Sequence, residues 1–291
     1  MKRILIISDG KPGHLNQSIA FCKIKKISYD ILEVKFKSKF HKAISYIFDK
    51  IGLYTDSLYK DYKKYYYEFY DAVISTGSST YYLNKVISKN NNLKSITLMY
   101  PKGYKTKDFD YIIAQEHDSF KEDFNIVKIP LNLSYIKSKK ILNQKENEKS
   151  LAIVIGGNNS IFSINSEDIR EKLDSIFEEY PDYLKYITTS PRTSFEIEAL
   201  IDEYDFDYKL IYSREPNVNP IGDFIENCEK FFITMDSTSM ISEIRANSDA
   251  NIEIIKLDSK KENTKYHRLI NIVENIDNKL DYEKLLKRVE I

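Results

Sequence analysis

The stretch "SDGKPGHLNQS", residues 8–18, places Gly10, Gly13 and His14 directly after an apolar run in a chain holding only 8 glycines and 4 histidines. Glycines after a strand let the backbone turn sharply and approach a ligand, and the following helix offers unpaired N–H groups to anions or hydroxyls. The spacing of Gly10 and Gly13 is neither the dinucleotide G-x-G-x-x-G nor a Walker loop, which argues against NAD and ATP. His14, expected on the loop at the C-terminal edge of the sheet, can accept a proton from an attacking hydroxyl, or Asp9 can do so through the loop. A histidine that simply caps the helix is the competing reading. Asn16 and Gln17 complete the polar side of the segment.

Four further stretches carry candidate chemistry. "VIGGNNS" is a second strand-to-helix turn in which Gly156 and Gly157 allow close approach and Asn158 offers hydrogen bonds. "TTSPRTS" supplies the fixed charge of Arg192, matched to phosphate, with Ser190 and Thr193 beside it. A plain Ser-Pro helix start would look similar. In "ITMDSTSMISEIRAN", Asp236, Ser237, Ser239 and Met240 surround an expected helix start, where hydroxyls and free N–H groups make a diphosphate cradle without metal. Glu243 lies one to two turns further on and can reach a ribose diol from the same face; ordinary capping remains the alternative. "FDYIIAQEHDSF" sets Glu116, His117 and Asp118 after a strand, but neighbours on an extended segment alternate sides, so hydrogen bonding is expected there rather than metal binding. No metal or cofactor is expected.

These loops need strands to aim them. Short β-rich runs at residues 3–8, 31–36, 72–75, 95–99, 111–114 and 126–129 alternate with helical patterns, and the alternation resumes at 151–155, 186–188, 210–212, 231–234 and 252–255. That pattern predicts parallel α/β sheets covered on both faces. The polar tract 136–150 reads as a linker between a first domain, 1–135, and a second, 151–291. Hydrophobic residues at 42% suffice for two cores, and 44 Lys+Arg against 44 Asp+Glu leave no general field for nucleic acid. Cys22 and Cys228 sit in no metal-type pair and read as buried thiols of a reducing compartment. No run approaches the ~18 apolar residues of a membrane span, so a cytoplasmic location is expected. Within 36–51, an apolar helical stripe edged by lysines reads as a sheet-covering helix or as a peripheral contact with the inner membrane face.

Together, "DGKPGHLNQS", "YPKGYKTKDFDYIIAQEHD", "IGGNNS", "TTSPRTS" and "TMDSTSMISE" resemble, in order and across almost the whole chain, the mitochondrial-fission ELM family, whose bacterial members are candidate glycosyltransferases of the GT-B type. Two positions depart from that family's pattern: Gln115 stands where proline is common, and Pro191 replaces the first residue of an arginine pair, leaving Arg192 alone. The resemblance implies two Rossmann-like parallel-sheet domains facing across a cleft, the first binding an acceptor and the second a nucleotide-sugar as co-substrate. It implies a metal-independent, inverting glycosyltransferase acting on a cell-surface glycan or lipid-linked acceptor. His14 and Asp9 would be catalytic, Gly10, Gly13, Asn16, Gln17, Glu116 and His117 would lie on the acceptor side, and the residues of the second half would hold the donor. The alternatives are a noncatalytic interaction protein with a degenerate cleft and a nucleotide-sugar epimerase.

Overall fold

The computed structural model describes residues 2–118, 120–142, 148–276 and 278–291, with Lys265 described by its backbone alone. The chain divides into two compact units, Met1–Tyr135 with Asp281–Ile291, and Ile136–Leu280.

Unit 1 is built on six parallel strands, β1 (Arg3–Ser8), β2 (Ser28–Glu33), β3 (Ala72–Thr76), β4 (Lys94–Leu98), β5 (Tyr111–Gln115) and β6 (Ile126–Ile129), in the order β2-β1-β3-β4-β5-β6. The inner strands are continuous apolar runs because helices cover both faces of a parallel sheet; Ile4 to Ile7 and Ala72 to Ile74 are all buried. Helix α1 (Pro12–Ile24) opens with proline in its first turn, where no backbone donor is lost. Helix α2 (Lys39–Ile51) is bounded by Ser38, whose hydroxyl accepts from the His41 N–H, and by Gly52 in the left-handed region. Helix α3 (Tyr81–Asn91) connects β3 to β4.

The chain leaves β1 outward to β2 and returns past β1 to β3, so the loops after β1 and β3 diverge. The C-terminal end of that strand pair is where open α/β sheets receive ligands. The polar start of β2, Ser-Tyr-Asp, lies on an edge strand, which is why the apolar pattern placed this strand three residues too late, at 31–36.

Unit 2 has five parallel strands, β7 (Ser150–Ile155), β9 (Leu184–Thr189), β10 (Tyr208–Leu210), β11 (Lys230–Thr234) and β12 (Asn251–Ile255), ordered β10-β9-β7-β11-β12. A two-residue ribbon pairs β8 (Phe162–Ser163) with β13 (Asp258–Ser259). The helices are α4 (Ser166–Glu179), α5 (Phe195–Asp202), α6 (Ile221–Asn227), α7 (Thr238–Asn247) and α8 (Lys265–Glu274). Here the diverging loops follow β7 and β11.

Two boundaries differ from the sequence reading. The C-terminal segment leaves the second domain: α9 (Tyr282–Leu285) packs on β6 of unit 1, where the Tyr282 hydroxyl donates to the Asn132 carbonyl at 2.7 Å. Lys25 and Lys94 reach the carbonyls of Leu286 and Glu290. The start of the expected linker is not a free tether, because the N–H groups of Lys139 and Ile141 and the Ser138 hydroxyl all donate to Asp223. Residues 143–147 of that linker lie outside the described residues.

Helix α2 is fixed by a buried ion pair. Lys85 Nζ on α3 donates to Asp49 Oδ1 on α2 at 2.6 Å and to the Lys105 carbonyl at 2.7 Å, and neither charged side chain has exposed surface. Burial pushes the Lys85 amine below its usual range, and Asp49 opposes that shift. Removing Asp49 leaves the buried ammonium with Asp108 Oδ2 at 3.4 Å as its remaining anionic partner, so Asp49→Ala should cost about 3–5 kcal/mol, whereas replacing both Lys85 and Asp49 with apolar residues should cost much less. Urea denaturation of the single and double variants measures this; a single-variant loss below about 1 kcal/mol would contradict the buried pair.

Candidate functional site

Two loop clusters lie at the strand ends where the chain diverges, one in each unit. In unit 1, β1 ends in Ser8 and Gly10 turns in the left-handed region. Gly13 and His14 are not on the loop, as their sequence context suggested, but in the first turn of α1, because Pro12 starts the helix two residues earlier. His14 Nδ1 lies 3.0 and 3.1 Å from the two carboxylate oxygens of Asp9. Asp9 is almost fully buried and the imidazole retains about a fifth of its surface. A carboxylate on Nδ1 fixes the ring so that Nε2 is the nitrogen left to accept a proton.

The ring is seated on Gly77, just past β3. A Cβ there would overlap the imidazole, and Gly77 has φ +90°, so only glycine fits on both counts. On the other side of the same loop, Lys42 Nζ from α2 donates to Ser78 Oγ at 2.7 Å and to Ser79 Oγ at 3.4 Å.

The other expected acceptor-side residues are scattered. Asn16 is exposed on α1, while Gln17 is buried and donates to the Gly13 carbonyl at 3.3 Å. Glu116 and His117 follow β5, which stands three strands from β1, about 14 Å along the sheet edge. Glu116 is exposed, and Gln115 is buried with no partner for either amide atom among the described residues. Among the described residues no three His, Cys, Asp or Glu side chains form a group able to hold a metal.

In unit 2, a cavity of about 620 Å³ lies between the ends of β9 and β10, the 216–221 loop and the start of α7. Ser190, Arg192, Asp236, Ser237, Ser239, Met240 and Glu243 from the sequence reading all line it. Ser237 occupies the N-cap of α7 without a side-chain cap bond, so the first-turn N–H groups have no capping side chain. Arg192 Nη2 donates to Asp236 Oδ2 at 2.6 Å; the guanidinium is half exposed, and the carboxylate is completely buried.

Gly156 and Gly157 do not open space for a ligand as expected. A Cβ on Gly156 would overlap the Asp236 carboxylate, and one on Gly157 would overlap the Arg192 carbonyl. The Gly157 N–H donates to Asp236 Oδ2 at 3.0 Å and the Gly156 N–H to Thr234 Oγ1 at 2.7 Å. Their close approach is internal, and it holds Asp236 and Arg192 at the α7 start. Asn158 accepts from the Ile164 N–H and Thr193 donates to the Gly156 carbonyl, so both brace loops rather than line the cavity. The sequence reading missed Tyr212, the Pro216–Ile221 wall and Tyr266 in unit 2, and Gly77 and Lys42 in unit 1. A glycine after a buried strand in so glycine-poor a chain was the available signal for Gly77.

The model of the family described as mitochondrial fission ELM1 matches residues 12–278, nearly the full sequence. The chain belongs to the mitochondrial fission ELM1 family. No curated protein matches it. Solved structures similar to this family member include a candidate UDP-N-acetylglucosamine 2-epimerase from Listeria monocytogenes, at 10% identity and TM-score 0.53, covering 93% of this chain and 82% of that one. A UDP-GlcNAc 2-epimerase from Neisseria meningitidis gives 11% identity and TM-score 0.49 over 99% and 100% of the two chains. MurG from Acinetobacter baumannii gives 9% and 0.39 over 99% and 92%. At these identities the likeness concerns the fold, which the first of them supports: this ELM1-family chain is an α/β protein of GT-B-like architecture.

Two measurements check the site. Gly77→Ala should cost about 1–3 kcal/mol of stability and move the His14 imidazole signals in an NMR spectrum; unmoved signals would contradict the packing of His14 on Gly77. The Glu243 carboxyl has no hydrogen-bond or ion-pair partner among the described residues, and burial pushes it from 4.5 up to about 6. The folded state therefore holds the proton more tightly, so stability falls as pH rises from about 4.5 to 6 and stays lower above. Glu243→Gln should remove that slope and gain up to about 2 kcal/mol at pH 7.5. Urea denaturation at pH 4.5 and 7.5 reads it, and an unchanged slope in the variant would refute the assignment.

Proposed function

We propose that this protein is a metal-independent, inverting glycosyltransferase that takes a sugar from a nucleotide-sugar and passes it to a cell-surface glycan or lipid-linked acceptor. The observation that carries the reading is the unit 2 cavity, where uncapped N–H groups of α7 and the half-exposed Arg192 guanidinium meet Ser237 and Ser239. Such an arrangement favours a phosphate without a bound cation. Glu243, further along α7 in the same cavity, is suited to accept hydrogen bonds from a ribose diol. The apolar walls at Leu210, Val218 and Ile221 suit a nucleobase.

Unit 1 is assigned the acceptor. His14 Nε2 takes the proton from the acceptor hydroxyl while Asp9 stabilises the imidazolium that forms. The acceptor oxygen bonds to the anomeric carbon as the carbon–phosphate oxygen bond breaks, and the nucleotide leaves with the electron pair. Its new charge is met by the α7 N–H groups and Arg192. A peripheral membrane contact through α2 belongs to the same proposal: Phe40, Ile47 and Ile51 are 69%, 58% and 69% exposed, with Lys39 and Lys50 exposed on the same helix. Among the described residues no helix is long and apolar enough to cross a membrane.

The likeness to the candidate epimerase favours one second reading, in which the cavity holds a nucleotide-sugar that is isomerised. A panel of nucleotide-sugars separates these. A donor that binds should raise the melting temperature saturably, and Arg192→Ala should weaken binding about tenfold. His14→Ala should keep donor affinity while turnover or slow donor hydrolysis falls about 10²–10⁴-fold. Release of an isomerised sugar would favour the epimerase. No binding across the panel would sink both enzyme readings and favour a noncatalytic interaction protein.

A further inference from the structure

The unit 2 cavity is poor in positive charge for a site assigned a phosphorylated donor. Among the described residues that line it, Arg192 is the one cationic side chain, and it stands against two carboxyl groups, Asp236 and Glu243. Arg192 Nη2 is already engaged by Asp236 Oδ2 at 2.6 Å, and the other oxygen of that fully buried carboxylate, Oδ1, has no donor among the described residues. The Glu243 carboxyl has no partner among them either, and although burial raises it to about 6 it is ionised at pH 7.5. The cations next along the chain are held elsewhere: Arg214 pairs with Asp202, and Lys209 donates to the Ile201 and Tyr204 carbonyls. The lining side chains therefore carry a net negative charge above pH 6.

Neutral donors are concentrated at one point of the same cavity. The Ser237 N–H turns back to the Thr234 carbonyl at 3.2 Å, and the Ile241 N–H donates to the Ser237 carbonyl at 3.0 Å. Between them, the N–H groups of Thr238, Ser239 and Met240 have no intrahelical acceptor. Ser239 is exposed and Thr238 and Met240 are half-buried, and all three line the cavity, so this turn opens on free space. Three N–H groups and the Thr238 and Ser239 hydroxyls match the oxygens of one tetrahedral anion, and the field of a helix end fades within its first turn. A second phosphate bonded to the first finds no cation of its own here and adds its charge to those of Asp236 and Glu243.

We propose that the donor carries a single phosphate between its ribose and its sugar, so that the cavity selects a nucleoside monophosphate sugar over a nucleoside diphosphate sugar. This rests on the donor reading of the cavity and narrows its substrate class. In the transfer, the acceptor oxygen bonds to the anomeric carbon, the bond from that carbon to the phosphate oxygen breaks, and a nucleoside monophosphate leaves with the electron pair while His14 takes the acceptor proton. One phosphate places one negative charge on the α7 turn in the bound donor, where a diphosphate would place two beside an already negative wall.

The test is calorimetric titration of the full chain at pH 7.5 with EDTA present, so that no divalent cation offsets the phosphate charge. CMP, UMP, GMP and AMP are compared with CDP, UDP, GDP and ADP. For the base that binds best, the monophosphate should bind at least fivefold more tightly than the diphosphate, and Arg192→Ala should weaken both. Glu243→Gln, which removes one negative charge from the wall and keeps its shape, should narrow that ratio at least twofold. A ratio below fivefold, or one that favours the diphosphate, overturns the proposal and leaves the donor reading standing. A ratio that Glu243→Gln leaves unchanged in a variant folded by circular dichroism also overturns it, because wall charge is then not its cause. Binding of neither class overturns the donor reading and this proposal with it.

Discussion

The Asp236 carboxylate has no exposed surface and stands at the end of β11, where the chain turns into α7. Burying a charge there requires partners, and unit 2 supplies them from three separate loops: the Gly157 N–H after β7, the Arg192 guanidinium after β9, and the Ser237 hydroxyl beside it. All three converge on Oδ2, leaving Oδ1 buried without a donor among the described residues. The two glycines follow from this constraint, since any side chain at Gly156 would occupy the space of the carboxylate. A negative charge at a helix start also stabilises the helix, so the same group that ties the loops together fixes where α7 begins.

Unit 1 repeats the logic with different residues. Asp9 is the buried carboxylate at the end of β1, His14 is the cation-capable partner, and the glycine that makes room is Gly77 on the neighbouring strand end. In both units the carboxylate and its glycine come from the two strands between which the chain changes direction: β1 and β3, then β7 and β11. The crossing loops diverge there, so side chains from both can meet without a connection passing over them. In unit 2 the partner of the carboxylate is a permanent cation, whereas in unit 1 it is a base able to take and return a proton. In the proposed function, that difference separates the site that holds the donor's phosphate from the site that moves a proton.

Much of this was legible from the residues. Continuous apolar runs located the inner strands to within one or two positions, because a strand buried on both faces leaves little else for the sequence to be. The edge strand β2 was displaced, since its first residues face solvent and carry no apolar signal. The motif residues of α7 and Arg192 were found because helix starts and fixed charges have local sequence signatures. Gly156 and Gly157 were found for the wrong reason: a sequence shows that a position lacks a side chain, but not whose atoms fill the gap. Lys42 was read only as part of a basic rim, and its approach to Ser78 and Ser79 across 36 residues is a tertiary event. The return of residues 281–291 to unit 1 is likewise a long-range packing outcome with no local signature.

The departure at Pro191 acquires a physical meaning from the same constraint. Arg192 is the cationic side chain lining the cavity, and Asp236 already neutralises it in part. With Glu243 also lining the cavity, the side chains there carry no net positive charge once that carboxyl ionises. In the proposed function, attraction for the donor's phosphate then comes mainly from the backbone N–H groups at the start of α7, which are fixed in direction and need no charged partner. A second arginine at position 191, on an exposed turn, would have added long-range attraction more than short-range geometry. The proline instead stiffens the loop that delivers Arg192 to Asp236. In the proposed function, the cavity therefore relies on the fixed orientation of Arg192, the arginine that lines it, and on the shape of the α7 start more than on the number of charges around it.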